Sequence, residues 1–365
     1  MNHLRNLRVT VFGGTGFVGR HLIKYLCNHE CIIKVPTRNP IKGYFLQPLG
    51  DVGQINLIKF DLSDNKKLKN LIEDSDIVIN LIGILYEKKR NDFFKVHYDF
   101  VKRIVNNIKL NKKTFIQVSA LGVNKFENSL YSKSKFDSDK YIEKNLKRFS
   151  IIRPGLIFGP EDNFFNKFAK MSLFSPFLPL IMGGKTKFQP VYVEDVCKGI
   201  MEILKKNITN KIFEFGGQDI FSFKELLQIL LKTINRKRIL IYIPKKIAIL
   251  MAKFFQVLPN PLLTEDQIKL LENKFKNTLS YNKTYVERAV TSFSNTYTNY
   301  FGFRDSINLL GEYNFNLDNK IVYGIEAEFD AARYPSDYAP AARGYAKTLM
   351  DKPADEHIFS QYFDY

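Results

Sequence analysis

The stretch TVFGGTGFVG at residues 10–19 contains Gly13, Gly16 and Gly19, spaced three residues apart. It begins as a β-branched and aromatic strand and runs into GRHLIKYLCN, residues 19–28, where apolar residues recur at helical spacing. In such a corner the first glycine permits a tight turn, the second admits a phosphate to the backbone, and the third lets the helix pack closely. Free N–H groups at the helix N-terminus favour an anion. The motif therefore predicts a dinucleotide site between a strand and a helix.

Apolar strand-like runs alternate with helical segments through the first half of the chain. Strands are predicted at 8–13, 31–38, 55–62, 76–83, 113–121 and 149–159, and helices at 19–28, 65–75, 91–110 and 131–146. The strands are continuously apolar, as expected where helices cover both faces of a sheet. This repeat predicts an α/β fold with a doubly wound parallel sheet of the Rossmann type. We assign residues 1–160 to this NAD(P)-binding core and residues 161–290 to a smaller C-terminal lobe interleaved with it.

The last part of the chain, residues 291–365, differs in composition from the rest. It contains 3 lysines and 16 aromatic residues, and its net charge is −5 against +23 for residues 1–290. Residues 311–329 alternate polar and apolar side chains around Asp318-Asn319, which indicates a β-hairpin. We interpret this aromatic-rich tail as an appendage of unknown role and assign it no chemistry.

Composition excludes several classes of protein. The net charge of +18 comes from scattered lysines with no nucleic-acid-binding motif, so no nucleic-acid partner is expected. The sequence contains no run of eighteen apolar residues, so no transmembrane helix is expected. The first predicted strand begins near Arg8, so we expect no signal peptide. Three cysteines, an odd number, indicate a reducing compartment, and Cys27, His29 and Cys31 lack the second ligand pair that a metal site needs.

The end of the second predicted strand indicates which dinucleotide is bound. An NAD site places an acid there for the ribose 2′-hydroxyl, whereas KVPTRNP offers Thr37 and Arg38. A guanidinium suits a 2′-phosphate, so we expect NADPH rather than NADH. Further along, Asp61 in FDLSD is placed to accept from an adenine amino group. The strand end NLIG contains Leu81 and ends in Gly83, which leaves room where the ribose must pass.

Tyr131 and Lys135 in YSKSK lie four residues apart on a predicted helix and so share one face. A lysine cation beside a tyrosine is expected to lower the phenol pKa and to suit it to proton transfer. The same lysine also suits a hydrogen bond to the nicotinamide ribose, so the pair serves either catalysis or binding. Ser119, which ends the preceding strand in QVSALG, is a candidate partner for a substrate oxygen.

These motifs together resemble an extended or atypical short-chain dehydrogenase/reductase. The resemblance is carried by GGTGFVG (13–19), by the Tyr131 and Lys135 pair, and by RPGLIFGP (153–160). More narrowly, the chain resembles the nucleotide-binding accessory subunit of respiratory complex I and its bacterial relatives over about residues 6–290. The segments that carry this narrower resemblance are QVSALGVN (117–124), FQPVYVEDVCKGI (188–200), FEFGGQDIFSFKELL (213–227) and, above all, LPNPLLTEDQIKLLEN (258–273).

The resemblance implies tightly held NADPH that need not turn over. The cofactor site that it implies consists of Gly13, Thr15, Gly16, Phe17, Val18, Arg38, Asp61, Leu62, Leu81, Gly83, Ser119, Tyr131 and Lys135. It implies an accessory or assembly protein of a membrane NADH:quinone oxidoreductase, with complex I subunits as partners. The alternative is an active NADP-dependent oxidoreductase or epimerase for a lipophilic or nucleotide-sugar substrate, with Tyr131, Lys135 and Ser119 as catalytic residues.

An amphipathic segment at 244–259 is relevant to the cellular location of the protein. Its apolar face consists of Ile247, Leu250, Met251, Phe254 and Leu258, with Lys245, Lys246 and Lys253 nearby. Core packing is the ordinary interpretation of such a face, and contact with a membrane surface is the alternative. We expect a peripheral protein on the cytoplasmic face of a bacterial plasma membrane, or on the matrix side of the mitochondrial inner membrane.

Overall fold

The computed structural model describes residues 4–111, 113–124, 129–255, 264–271, 278–291, 297–314 and 320–333. In its first half the strands are β1 (Arg8–Phe12), β2 (Ile32–Thr37), β3 (Ile55–Lys59), β4 (Ile77–Asn80), β5 (Thr114–Val118), β6 (Phe149–Pro154) and β7 (Leu156–Phe158). Then follow β8 (Phe177–Ile181), β9 (Lys187–Phe188), β10 (Pro190–Tyr192), β11 (Lys211–Phe215), β12 (Phe221–Ser222), β13 (Ile239–Ile243), β14 (Thr278–Thr291), β15 (Tyr297–Asn314) and β16 (Lys320–Arg333).

The helices alternate with these strands. They are α1 (Phe17–Asn28), α2 (Asn65–Glu73), α3 (Phe100–Asn111), α4 (Leu130–Asn145), α5 (Phe165–Phe174), α6 (Val193–Lys205), α7 (Phe223–Thr233), α8 (Lys245–Phe255) and α9 (Glu265–Leu271). Short 3₁₀ segments lie at Ile41–Leu49 and Met182–Gly184. No helix within the described ranges combines the length and the apolar character that crossing a bilayer requires.

A seven-stranded parallel sheet in the order β11-β6-β5-β4-β1-β2-β3 forms the centre of the fold. Buried side chains cover both of its faces. One cluster joins the sheet to α1 and α6 and includes Val9, Ile33, Leu22, Leu26, Val196 and Ile200. The other joins it to α2, α3 and α4 and includes Val78, Phe115, Leu68, Ile104 and Ile142. The predicted doubly wound Rossmann-type fold is thereby confirmed.

Three details differ from the predicted elements. The prediction of one strand over 149–159 is wrong, because the chain leaves the central sheet at Gly155. Residues 150–154 pair with β11, whereas residues 156–158 pair with β10. The helix predicted at 91–110 begins with a π-helical turn, Phe94–Asp99, before α3. The seventh strand, β11, was not predicted, since it follows the region in which the strand–helix repeat was recognisable.

The smaller lobe contains two further buried clusters. In the first, Leu180 of β8 packs against Phe223, Leu227 and Leu230 of α7. In the second, Ile181 packs with residues of α8 and α9, namely Ala248, Ala252 and Ile268. These contacts attach α8 and α9 to the end of the β8/β13 pair.

The chain divides into two compact units, residues 1–272 and 273–365. The described part of the second unit is an antiparallel sheet of β14, β15 and β16. Strands β15 and β16 pair from Asn314 with Lys320 to Phe301 with Arg333, across the segment where a hairpin is predicted. The Asp318-Asn319 turn and all residues after 333 lie outside the described residues.

Candidate functional site

The glycine-rich corner joins β1 to α1 at the centre of the sheet. Gly13 has φ +81°, and a Cβ there would lie 3.1 Å from the backbone of Leu81 and Ile82. A Cβ at Gly19 would lie 2.5 Å from the Gly13 carbonyl oxygen and from backbone atoms of Gly14. Both glycines are therefore required by the fold itself, because the turn and the close helix–strand packing leave no room for a side chain.

Gly16 serves a different purpose. It is exposed, its φ of −82° suits any residue, and a Cβ would meet within 4 Å only the Gly13 carbonyl oxygen, at 3.1 Å. No side chain caps the first turn of α1, and no acidic residue lies in it. Nearby, Arg20 Nε is buried without a hydrogen-bond partner among the described residues. The same guanidinium pairs with Glu161 at 3.5 Å and lies over the Phe45 ring. A helix N-terminus that no side chain caps fits an anion such as a diphosphate.

The predicted site residues lie at or just beyond the carboxyl ends of five strands. They are Gly13, Thr15, Gly16, Phe17 and Val18 after β1, Arg38 after β2, Asp61 and Leu62 after β3, Leu81 and Gly83 after β4, and Ser119 after β5. Tyr131 and Lys135 lie on α4. The strand order reverses between β1 and β4, which makes this edge the topological switch point of the sheet.

Arg38 and Asp61 are both exposed and lie near each other on this edge. Asp61 Oδ1 accepts hydrogen bonds from the Ser63 amide at 2.9 Å and the Ser63 hydroxyl at 2.5 Å. These bonds, with a smaller contribution from the Arg38 charge, lower the pKa of Asp61. The carboxylate is therefore ionised at neutral pH, with one oxygen engaged by Ser63.

Lys135 is buried, and its ammonium donates to the backbone at the end of β5. Its Nζ lies 3.1 Å from the Ser119 carbonyl oxygen and 3.4 Å from that of Val118. Nζ also lies 5.5 Å from the centroid of the Tyr131 ring. Burial lowers the pKa of Lys135 to about 8, although the Asp139 charge opposes this. A Cβ at Gly83 would lie 3.7 Å from Nζ, so the lysine sits beside the end of β4 as well.

The expectation that Lys135 lowers the phenol pKa of Tyr131 is wrong. Burial raises the pKa of Tyr131, and the negative charge of Asp266 raises it further. The Asp266 carboxylate belongs to α9, which is distant in sequence, so the spacing of Tyr131 and Lys135 carries no sign of it. The phenol is accordingly held in its protonated form at neutral pH.

Ser119 is engaged inside the protein by residues that sequence reasoning missed. Its hydroxyl donates to Asp139 Oδ2 at 3.0 Å. The same oxygen accepts from Arg153 Nε at 3.0 Å and lies 2.9 Å from the second guanidinium nitrogen. Burial raises the pKa of Asp139 to about 6, against the opposing effect of Arg153. Asp139 shares the helical face of Lys135 at i+4, which is the only sequence signal for it.

His97, on the π-helical turn, is a second buried group that the sequence did not reveal. Its Nε2 accepts from the Ile84 amide at 3.0 Å, and its Nδ1 lies 2.9 Å from Ser134 Oγ. Its ring meets that of Tyr131 edge to face at 5.4 Å. Burial, with a further effect of the Lys135 charge, lowers the pKa of His97 to about 2. The imidazole is therefore neutral and buttresses the Tyr131 side of the site.

The amphipathic helix α8 departs from the ordinary interpretation of its sequence. Among the side chains of α8 that the structure describes, Ala248 and Ala252 are buried, whereas Ile247 is 52% and Leu250 is 71% exposed. Core packing is thus wrong for these two residues. The Phe254 side chain and Leu258 lie outside the described residues.

The thiols of Cys27, Cys31 and Cys197 are free and buried, and burial raises the pKa of each. In the part of the chain that the structure describes, no group of three or more His, Cys, Asp and Glu side chains has the arrangement of a metal site.

Residues 9–216 match the model of the NAD dependent epimerase/dehydratase family. Over 227 residues the chain is 34% identical to NADH dehydrogenase (ubiquinone) 1 alpha subcomplex subunit 9, mitochondrial, of Dictyostelium discoideum, covering 62% of this chain and 63% of that protein. It therefore spans slightly under two thirds of that relative. It is also 34% identical to the Arabidopsis thaliana protein of the same name over 276 residues, covering 72% and 69% of the two chains.

The chain is also similar in fold to solved structures. The chain superposes on an NAD-bound dTDP-glucose 4,6-dehydratase from Streptomyces venezuelae with a TM-score of 0.56 and 19% identity. The match covers 65% of this chain and 84% of that one.

Proposed function

Because this chain belongs to the NAD dependent epimerase/dehydratase family and is homologous to alpha subcomplex subunit 9 of complex I, we propose that it is an NADP(H)-binding accessory or assembly protein of a membrane NADH:quinone oxidoreductase. The nucleotide is held mainly as a structural ligand.

In this proposal, different residues at the sheet edge bind different parts of the nucleotide. The corner around Gly16 receives the diphosphate, because it offers a bare backbone and a helix N-terminus. Arg38 pairs with the 2′-phosphate, which favours NADPH. Asp61 accepts from the adenine amino group through the oxygen that Ser63 leaves open. Lys135 holds the nicotinamide ribose. A bound nicotinamide supplies hydride chemistry; the protein residues supply binding and orientation.

The raised pKa of Tyr131 and the engagement of the Ser119 hydroxyl support a structural ligand over turnover. A proton-transfer group works best when its pKa lies near the working pH, whereas the pKa of Tyr131 is raised. The Ser119 hydroxyl donates to the buried Asp139. The Ser119 hydroxyl is thus engaged within the protein at the position where a dehydrogenase needs it for substrate.

The alternative is an active NADP-dependent oxidoreductase or epimerase. One observation favours it: Tyr131, Lys135 and Ser119 lie together beside the proposed nicotinamide end, as the chemistry requires.

The proposed partners are complex I subunits, since both relatives carry that assembly in their names. Those names also specify mitochondria, which favours the matrix side of the inner membrane over the inner face of a bacterial plasma membrane. We propose that α8 contributes to a peripheral membrane contact, because Ile247 and Leu250 are exposed beside Lys245 and Lys246.

Tyr131→Phe separates the two functions. The purified protein is loaded with NADPH and assayed for its oxidation by short-chain quinones and for epimerisation of nucleotide sugars. We expect no turnover above background and an NADPH Kd for Tyr131→Phe within a few-fold of the wild-type value. Tyr141→Phe, on the same helix, is the matched control. Turnover in the wild type and in Tyr141→Phe that disappears in Tyr131→Phe would establish the enzyme instead.

A further inference from the structure

A carboxylate from α9 closes the N-terminus of α4, the helix that carries the Tyr-x-x-x-Lys pair. Asp266 Oδ2 accepts from the Ser129 hydroxyl at 2.7 Å and from the Tyr131 amide at 3.2 Å. Its Oδ1 accepts from the Leu130 amide at 2.8 Å. Ser129 Oγ in turn accepts from the Ser132 amide at 3.2 Å. The first-turn N–H groups of α4 are thus satisfied, and a negative charge lies at the positive end of the helix.

The helix that supplies this carboxylate is itself fixed. Thr264 and Gln267 form reciprocal capping bonds at the start of α9, at 3.1 and 3.3 Å. Ile268 is 1% exposed and packs against Ile181 and Ala252 in the small lobe. Asp266 therefore reaches α4 from an ordered element, 135 residues away from Tyr131 in the chain.

The contact adjoins the proposed nucleotide-binding side chains. Tyr131, whose amide bonds Asp266, is one helical turn from Lys135, whose ammonium contacts the end of β5. Whatever fixes α4 fixes both the nucleotide-binding pair and the segment 264–271. If two events order the same helix, each favours the other by the same free energy.

We propose that Asp266 is a positioning residue through which nucleotide occupancy and the docking of segment 264–271 stabilise each other. The proposal rests on the proposed nucleotide site. It assigns a role to residues 264–271, which belong to the segment 258–273 that carries the resemblance to complex I accessory subunits most strongly. Asp266 acts through α4 rather than by touching the nucleotide.

Hydrogen exchange of the wild-type full chain tests the coupling without any variant. Saturating NADPH should slow amide exchange in 264–271 as well as in 129–135. Peptides from α2 provide the internal control, since the buried side chains of α2 lie in a different cluster from Ile268 of α9. Unchanged exchange in 264–271, at an NADPH concentration that protects the glycine corner, would overturn the proposal.

The variant series tests the residue. Asp266→Ala should weaken NADPH binding about tenfold, the equivalent of about 1.4 kcal/mol, within the range typical of coupled sites. Asp266→Asn keeps one acceptor oxygen and should recover part of that loss. Glu265→Gln is the matched control, because Asp266 alone of these two neighbours makes the three bonds to α4. Nucleotide-dependent protection of 264–271 should disappear in Asp266→Ala, which a merely structural role would not predict.

The outcomes separate this proposal from the function on which it rests. If the wild type binds no NADPH, the nucleotide site itself fails. If the wild type binds and Asp266→Ala binds equally well, the coupling alone fails. Should Asp266→Ala not fold, Ser129→Ala removes one of the three bonds, and an unchanged NADPH Kd together with unchanged exchange in 264–271 would contradict the coupling.

Discussion

Gly16 and Gly19 lie one helical turn apart, yet a side chain meets different surroundings at each. Gly19→Ala places a Cβ 2.5 Å from backbone atoms and should destabilise the protein by about 1–3 kcal/mol, as overpacking does. Gly16→Val should leave the fold largely intact and abolish nucleotide binding, because its side chain occupies the diphosphate position. Thermal denaturation and NADPH titration of both variants check this. A Gly16→Val protein that retains wild-type affinity would refute the placement of the diphosphate.

The charge on Arg38 should decide between the two nucleotides. Charge-assisted hydrogen bonds contribute about 1.5–3 kcal/mol, so Arg38→Asp should reduce NADPH affinity relative to NADH about ten- to hundredfold. Calorimetric titration with each nucleotide gives the ratio of the two Kd values. Lys24→Asp makes the same charge change on the exposed side of α1 and should leave that ratio unaltered. An unaltered ratio in Arg38→Asp would show that another residue recognises the 2′-phosphate.

The local sequence predicted some site residues but not those whose contacts depend on the tertiary fold. The glycine corner and the Tyr131 and Lys135 pair are short-range patterns, so their spacing reveals them. Asp139 accepts a hydrogen bond from Arg153, which lies on β6, and Asp266 of the small lobe accepts one from the Tyr131 amide of α4. Contacts between residues so distant in the chain depend on the tertiary fold. The wrong expectation for the Tyr131 pKa follows from this, since burial and Asp266 outweigh the nearby lysine.

At the scale of elements, the strands of the core were predictable because their apolar runs are continuous. The ends of the strands were predicted less accurately. The predicted strands at 55–62 and 76–83 end at residues 59 and 80 in the structure, before the polar and glycine positions of the site. The departure of the chain at Gly155 depends on β10 and β11, whose pairing no local pattern specifies. In α8 the helical period was correct, but Ala248 and Ala252 are buried whereas Ile247 and Leu250 are exposed.

The exposed face of α8 predicts binding to anionic membranes. The wild-type protein should co-sediment with vesicles containing phosphatidylserine or cardiolipin at low salt, and less at high salt, because lysines flank the apolar side chains. Ile247→Glu combined with Leu250→Glu should reduce the bound fraction several-fold. Ile229→Glu, at an exposed position of α7, is the control. Equal pelleting of the double variant would exclude α8 as the contact.

At the scale of the whole molecule, the buried neutral His97 makes stability depend on pH. Its pKa is about 2 in the folded protein against about 6.5 when unfolded, so the unfolded chain binds the extra proton as pH falls below 6.5. Stability that is fully present above pH 6.5 is therefore lost on acidification. Between pH 7 and pH 5 the wild type should lose about 2 kcal/mol more than His97→Gln, which keeps a donor and an acceptor. Urea unfolding at the two pH values measures this, and parallel losses in both proteins would contradict it.

The central claim is that the β1–α1 corner of this chain holds NADP(H) as a resident ligand. Mass spectrometry of nucleotide released from the purified full-length protein tests it most directly, with Gly16→Val purified in parallel. We predict about one NADP(H) per wild-type chain, little from Gly16→Val, and no oxidation of the bound NADPH on prolonged exposure to quinone. A folded wild-type protein that carries no pyridine nucleotide, and takes up none when it is supplied, would contradict the claim.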